Sequence, residues 1–238
     1  MNIRAVFFSL LATFSTVIVN ANPNLSNKEI SLLAHVQQAI INAQAHQSRL
    51  HPQILELEGM SSPKIRHLLN NLCAMHGTHY LEIGCWKGST FISSLFNNHK
   101  TISSAVAIDN WSEFWGPKAE FHQNCTNFLA NNSYTFHESD CFLIDPKSVC
   151  KNPVNVYFYD GGHTETDQEL AFTHYNEVFD EVFVAVVDDW NHPPVPLGTR
   201  KAFEKLGYKI LFETILPARC HPDKELWWNG LYVAVIRK

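Results

Sequence analysis

Two short stretches concentrate side chains that could do chemistry. Asp160-Gly161-Gly162-His163 follows the apolar run Val154–Tyr159, and Asp188-Asp189-Trp190 follows the run Val182–Val187. An imidazole titrates near neutral pH and suits proton abstraction, which makes His163 a candidate general base. If both runs are strands of one sheet, Asp160, Asp188 and Asp189 sit at neighbouring strand ends. Three carboxylates gathered there repel one another unless a cation or a proton neutralises them. Oxygen-only ligation suits a hard ion, Mg²⁺ or Ca²⁺, rather than zinc. The competing structural reading has one Asp capping a helix and another pairing with Arg200 or Lys201.

A second group of residues is suited to holding a ligand. Tyr80–Ile83 runs into Gly84-Cys85-Trp86-Lys87-Gly88-Ser89-Thr90, where Gly84 and Gly88 allow close backbone approach and the next helix opens with free N–H groups. The order Lys87-Gly88-Ser89 inverts that of a P-loop, and the stretch is not G-x-G-x-x-G. A tight turn with no ligand is the alternative. The next apolar run ends at Asp109, whose carboxylate could accept both hydroxyls of a ribose, although Asp109-Asn110 also reads as an ordinary turn. Asp140, in Glu138-Ser139-Asp140-Cys141, falls where an adenine amino group could be met, or in a solvated loop.

These residues require a particular scaffold. Ser26-Asn27-Lys28-Glu29 is a capping box, and Ile30, Leu33, Val36 and Ile40 have helical spacing behind it, predicting a helix to about Gln44. Ser62-Pro63 starts a second helix with Ile65, Leu68, Leu69 and Leu72 as its buried stripe. Short apolar runs then alternate with helical stretches. The runs are Tyr80–Ile83, Ala105–Ile108, Tyr134–Phe136, Val154–Tyr159 and Val182–Val187; the helical stretches are Thr90–Phe96, Lys118–Ala130 and Glu165–Tyr175. Such alternation predicts an α/β fold with a mostly parallel sheet covered on both faces. Tyr208–Ile215 and Leu231–Ile236 have no helix between them and predict a terminal antiparallel hairpin.

At 238 residues, 45 % hydrophobic and 17 % charged, the chain can bury one full core. Eighteen Lys and Arg against 23 Asp and Glu leave a net charge of −5, and no basic stripe is present, so nucleic acid is not expected as a partner. The opening Met-Asn-Ile-Arg, the apolar run Ala5–Val19 and the small residues before Asn22-Pro23 read as an export signal cleaved after Ala21. The run is shorter than the ~20 residues of a bilayer span, so a stable membrane span is not expected. Retention as an anchor and an uncleaved helix packed on a cytoplasmic protein are the alternatives. The expected division is therefore a signal-like segment at 1–21, N-terminal helices at 22–71 and a catalytic domain at 72–238. Six cysteines without a C-x-x-C pair fit scattered core thiols as well as disulfides. Six tryptophans (Trp86, Trp111, Trp115, Trp190, Trp227, Trp228) could wall a flat pocket or fill the core.

From about Leu72 onward the chain resembles the class I S-adenosylmethionine-dependent methyltransferases. Glu82-Ile83-Gly84 with Gly88 and Thr90 is similar to the cofactor loop of metal-dependent O-methyltransferases such as catechol O-methyltransferase. Asp160-Gly161-Gly162-His163 resembles the D-G-x-H segment of the macrolide-sugar O-methyltransferase and cephalosporin-hydroxylase-like subgroup. Asp188-Asp189-Trp190, with Gly198-Thr199-Arg200-Lys201-Ala202-Phe203 after it, resembles the acid-pair strand end and following helix there. The resemblance implies a Rossmann-like three-layer sandwich with strand order 3-2-1-4-5-7-6, strand 7 antiparallel. It implies cofactor contacts from Glu82, Gly84, Gly88, Thr90, Asp109, Asp140 and Asp160, a cation on Asp160, Asp188 and Asp189, and His163 as base. The implied reaction is methyl transfer from S-adenosylmethionine to a hydroxyl of a small molecule or sugar. An exported, non-catalytic binding protein and another metal-dependent enzyme on the same scaffold are the rival readings. Export would leave the protein away from the cytosol, where the methyl donor is made.

Overall fold

The computed structural model describes residues 25–238. The signal-like segment expected at 1–21 lies outside them. No helix among the described residues is long and apolar enough to cross a membrane.

Seven strands form one sheet in the order β3-β2-β1-β4-β5-β7-β6. In chain order they are β1 (Thr78–Ile83), β2 (Ile102–Asp109), β3 (Thr135–Glu138), β4 (Val154–Tyr159), β5 (Phe179–Val187), β6 (Lys209–Leu216) and β7 (Leu231–Arg237). The first five pair in parallel, and β7 runs antiparallel to both β5 and β6. This is the order implied by the resemblance, and the expected terminal hairpin is β6 with β7. β7 does more than close a hairpin, because it inserts between β5 and β6 and makes β6 the edge.

The central strands are apolar on both faces, as a sheet covered by helices on either side demands. Alternation within β4 divides its side chains: Val156 and Phe158 enter one core, Tyr157 and Tyr159 the other. The first core is covered by α1 (Asn27–Gln44), α3 (Pro63–Leu72), α4 (Ser89–Leu95) and α5 (Lys118–Phe128). The second is covered by α7 (Glu165–Thr173) and α8 (Pro194–Leu206), which pack on each other. Two one-turn helices, α2 (Pro52–Leu55) and α6 (Pro146–Val149), are too short to carry a periodic signal.

Local chemistry fixes the element starts. Ser26 and Glu29 form the expected capping box on α1, and Glu29 is further tied to Arg237 at the end of β7. Ser62 caps α3 from the residue before Pro63. Thr164 and Asp167 make a second capping box on α7, directly after His163. Because β1, β2, β4 and β5 are parallel, their carboxyl ends meet along one edge of the sheet, where the candidate residues lie.

Candidate active site

A cleft of about 1140 Å³ opens over those strand ends. Gly84, Asp109, Asp140, Asp160, His163, Asp188 and Asp189 line it. Glu82, Gly88 and Thr90 do not; they lie beneath the loop that does.

That loop leaves β1 and enters α4. Gly84 has φ +82°, and a Cβ built on it would fall 1.9 Å from the carbonyl oxygen of Asp160. The close approach that requires glycine here is therefore to the neighbouring strand, rather than to a ligand alone. Gly88, at φ +85°, caps α4, and its missing Cβ would stand 3.0 Å from the Phe121 ring. Glu82 is fully buried and accepts hydrogen bonds from Thr90 Oγ1 at 2.6 Å and from the Tyr80 hydroxyl. Burial outweighs these bonds and pushes its carboxyl up to about 8. Glu82 and Thr90 thus hold strand to helix from below, where the sequence had suggested direct ligand contacts.

Asp109 braces the loop from above. Its Oδ2 accepts from the Cys85 and Trp86 amides at 2.7 and 2.8 Å, and its Oδ1 from the Trp111 amide at 2.7 Å. A carboxylate has acceptor capacity for more than three bonds, so a ribose hydroxyl is compatible with this bracing. Trp111, just after β2, ties its own segment to the loop by donating its Nε1 to the Trp86 carbonyl at 2.9 Å. Asp140 lines the far wall and accepts from the Phe142 amide at 2.8 Å.

On the other side of the cleft, His163 Nε2 lies 2.7 Å from Asp189 Oδ2. Asn229 Nδ2 donates to the other oxygen, Asp189 Oδ1, at 2.5 Å. Asp189 adopts φ +54°, a left-handed conformation that is costly for a residue with a Cβ. One ligand atom each from Asp160, His163 and Asp189 fall within 4.8 Å of one another. Of the three acids expected to share a cation, the structure thus gathers Asp160 and Asp189, with His163 in the place expected for Asp188. Asp188 and Asp189 both follow the end of β5, and Asp189 leaves the extended path there at φ +54°; Asp188 is not part of the group. Asp188 is instead buried, and its Oδ1 has no hydrogen-bond partner.

Charge crowding shapes the protonation of this wall. Burial, with Asp188 and Asp189 adding repulsion, drives Asp160 well above the usual carboxylate range. Burial and the charge of Asp189 do the same to Asp188. Burial also works on Asp189, but the hydrogen bond and charge of His163 outweigh it and hold this carboxyl low. His163 is raised by its bond to Asp189 against the opposing effect of burial. Asp160 and Asp189 offer carboxylate oxygens within 4.8 Å of one another, the donor type a hard divalent cation takes, while His163 Nε2 is engaged by Asp189.

The tryptophans divide between the two roles open to them. Trp190 and Trp227 are buried away from the cleft, Trp86, Trp111 and Trp228 line it, and Trp115 is exposed. The residue that sequence reasoning missed is Asn229. Asn229-Gly230 is recognisable as a turn signal, but nothing local marks its amide as a partner of Asp189. All six cysteines are free thiols.

No family model and no curated protein sequence matches this chain. Solved structures do match its fold. The O-methyltransferase of Bacillus cereus in complex with S-adenosylhomocysteine superposes with a TM-score of 0.51 at 16% identity, over 87% of this chain and 91% of that one. The S-adenosylhomocysteine-bound methyltransferase of Podospora anserina gives 0.54 at 12%, over 91% and 98%. A Pyrococcus horikoshii protein described as an RNA methyltransferase gives 0.52 at 10%, over 86% and 98%. At these identities the likeness is one of architecture, and the chain has the Rossmann-like fold of the class I methyltransferases.

Proposed function

We propose that this protein is an S-adenosylmethionine-dependent methyltransferase that modifies a hydroxyl of a small-molecule or sugar acceptor. The observation that carries the reading is the His163–Asp189 pair, set across one cleft from the loop braced by Asp109. With its Nε2 engaged by Asp189, His163 has Nδ1 to receive a proton from the acceptor hydroxyl. In that transfer the acceptor oxygen forms a bond to the methyl carbon as the carbon–sulfur bond breaks. The electron pair stays on sulfur, and the proton passes to His163. The protein's main task is to hold the reactants in line.

Asp160 and Asp189, with Asp188 behind them, are the residues that would hold Mg²⁺ or Ca²⁺. Such an ion supplies positive charge that acidifies a hydroxyl. The titratable lining of the cleft also bears on the acceptor. It is mostly carboxylate, and the one arginine, Arg219, is paired with Asp223 and Glu225. A polyanion such as RNA meets repulsion there, which favours a neutral or cationic small molecule.

Calorimetric titration with S-adenosylmethionine and S-adenosylhomocysteine, with and without Mg²⁺, tests the reading. Saturable one-site binding of both, lost in Gly84→Val and Asp109→Ala, is the expected result. Wild-type protein that binds neither compound would overturn it. Binding without methyl transfer to any hydroxylated acceptor in a broad panel would favour a non-catalytic binding protein.

A further inference from the structure

The segment between β6 and β7, residues 217–230, is longer than a hairpin needs and forms one wall of the cleft through Ala218, Arg219, His221, Trp228 and Asn229. It is held as a rigid body. Asp223, buried at 2 % exposure, accepts from the Arg219, Glu225 and Leu226 amides and from the Arg219 guanidinium. Asp223 and Trp228 also exchange backbone hydrogen bonds at 2.8 and 3.0 Å. Ser62 Oγ, at the cap of α3, ties the segment down through the Leu226 carbonyl at 2.5 Å.

This rigid segment is joined to the end of β5 at matched points. The Trp190 amide donates to the Gly230 carbonyl and the Asn191 amide to the Asn229 carbonyl, both at 3.0 Å. The Trp190 ring stacks on Tyr232 with centroids 4.1 Å apart. The backbone on both sides of Asn229 is thereby fixed against the turn that contains Asp189. The Asn229 side chain makes a single hydrogen bond, its Nδ2 to Asp189 Oδ1, and its buried Oδ1 has no partner. Reversing the amide would bring two acceptor oxygens together, so Nδ2 is the atom that faces Asp189 Oδ1.

We infer that Asn229 is a positioning residue: it holds the Asp189 carboxylate in its left-handed setting so that the second oxygen meets His163 Nε2 and fixes the imidazole tautomer. The inference rests on the reading of His163 as the base. A single carboxylate held by one bond at each oxygen cannot rotate about χ2 without breaking one of them. With Asn229 removed, the Asp189 carboxylate is free to rotate about χ2, and its Oδ2 is no longer held against His163 Nε2. The expected consequence is loss of a single imidazole orientation, with the cofactor half of the cleft untouched.

Imidazole nitrogen NMR on the full chain tests this, using protein labelled at histidine, bound to S-adenosylhomocysteine and held at one pH above the imidazole range. The His163 signals are identified by their absence from His163→Asn. Wild type is expected to show His163 in one tautomer with a hydrogen-bonded Nε2–H, and Asp189→Asn to lose it. Asn229→Leu is expected to show averaged tautomers with unchanged S-adenosylhomocysteine affinity. Asn229→Asp, which keeps the shape and replaces the donor with a repelling carboxylate, is expected to show the same and serves if the leucine variant fails to fold. A wild-type tautomer in the folded Asn229 variants would overturn the inference. So would loss of ligand affinity in Asn229→Asp together with the tautomer, which marks a merely structural role. Failure of the function reading shows differently, as wild-type protein that does not bind S-adenosylhomocysteine at all.

Discussion

Single side chains in this cleft serve the protein's own framework as much as any ligand, and the two uses are separable. Asp109, expected to meet a ribose, accepts two backbone amides from the loop after β1 and a third from Trp111, two residues after itself. Asp109→Ala strands those donors, and leaving a buried donor unsatisfied costs about 1–3 kcal/mol. The variant is therefore expected to show a lower thermal midpoint in the absence of any ligand, measured by calorimetry or circular dichroism, as well as losing cofactor. Glu82 gives a pH signature. Its carboxyl titrates near 8 in the folded protein, above its ordinary value of 4.5, because burial penalises the charge. The folded state thus binds more protons than the unfolded state between those limits. The contribution is fully present below pH 4.5 and is lost as pH rises through about 8. Glu82→Gln is expected to flatten the decline in thermal midpoint over that window. An unchanged slope would show that Glu82 is ionised in the fold.

At the scale of elements, the site depends on where helices start. Thr164 caps α7 one residue after His163, with Asp167 completing the box. Losing such a cap costs about 1 kcal/mol. Thr164→Ala is expected to lower the unfolding free energy in urea by about that amount, with the loss of order reaching His163 first. Amide exchange at 164–168 that stays at the wild-type rate would count against this. Helix starts of this kind were legible from Ser26-Asn27-Lys28-Glu29 and Ser62-Pro63, because a cap is a local interaction written in adjacent residues. Strand existence was legible from apolar runs, while boundaries moved by up to three residues: Tyr134–Phe136 is realised as Thr135–Glu138 and Ala105–Ile108 as Ile102–Asp109. The short helices α2 and α6 escaped notice because four residues contain no repeat.

For the molecule as a whole, a ligand that binds only the folded state stabilises it by mass action. S-adenosylhomocysteine at about 100 times its Kd is expected to add about 2.7 kcal/mol. For a domain of this size that corresponds to a rise of about 5–10 °C in the thermal midpoint. Removal of divalent cations with a chelator is expected to lower the midpoint further if the acids at the ends of β4 and β5 share an ion, and to leave it unchanged if protons neutralise them. The sequence by itself determined the α/β class, the chain order of the strands and the set of acids at their ends, since alternation and turn chemistry are short-range properties of the chain. It also placed His163 beside Asp160. Only the tertiary structure decided which of those groups meet. Asp188 and Asp189 are neighbours in sequence, yet one is buried without a partner for Oδ1 and the other faces His163. Glu82 and Thr90, implied by the resemblance to touch the cofactor, instead meet each other at the base of the loop, where Thr90 Oγ1 donates to Glu82. Asn229, forty residues from Asp189, reaches it because β7 inserts beside β5. Contacts across such separations depend on sheet order and on the direction each backbone turns, and neither is carried by the residues on either side of the contact.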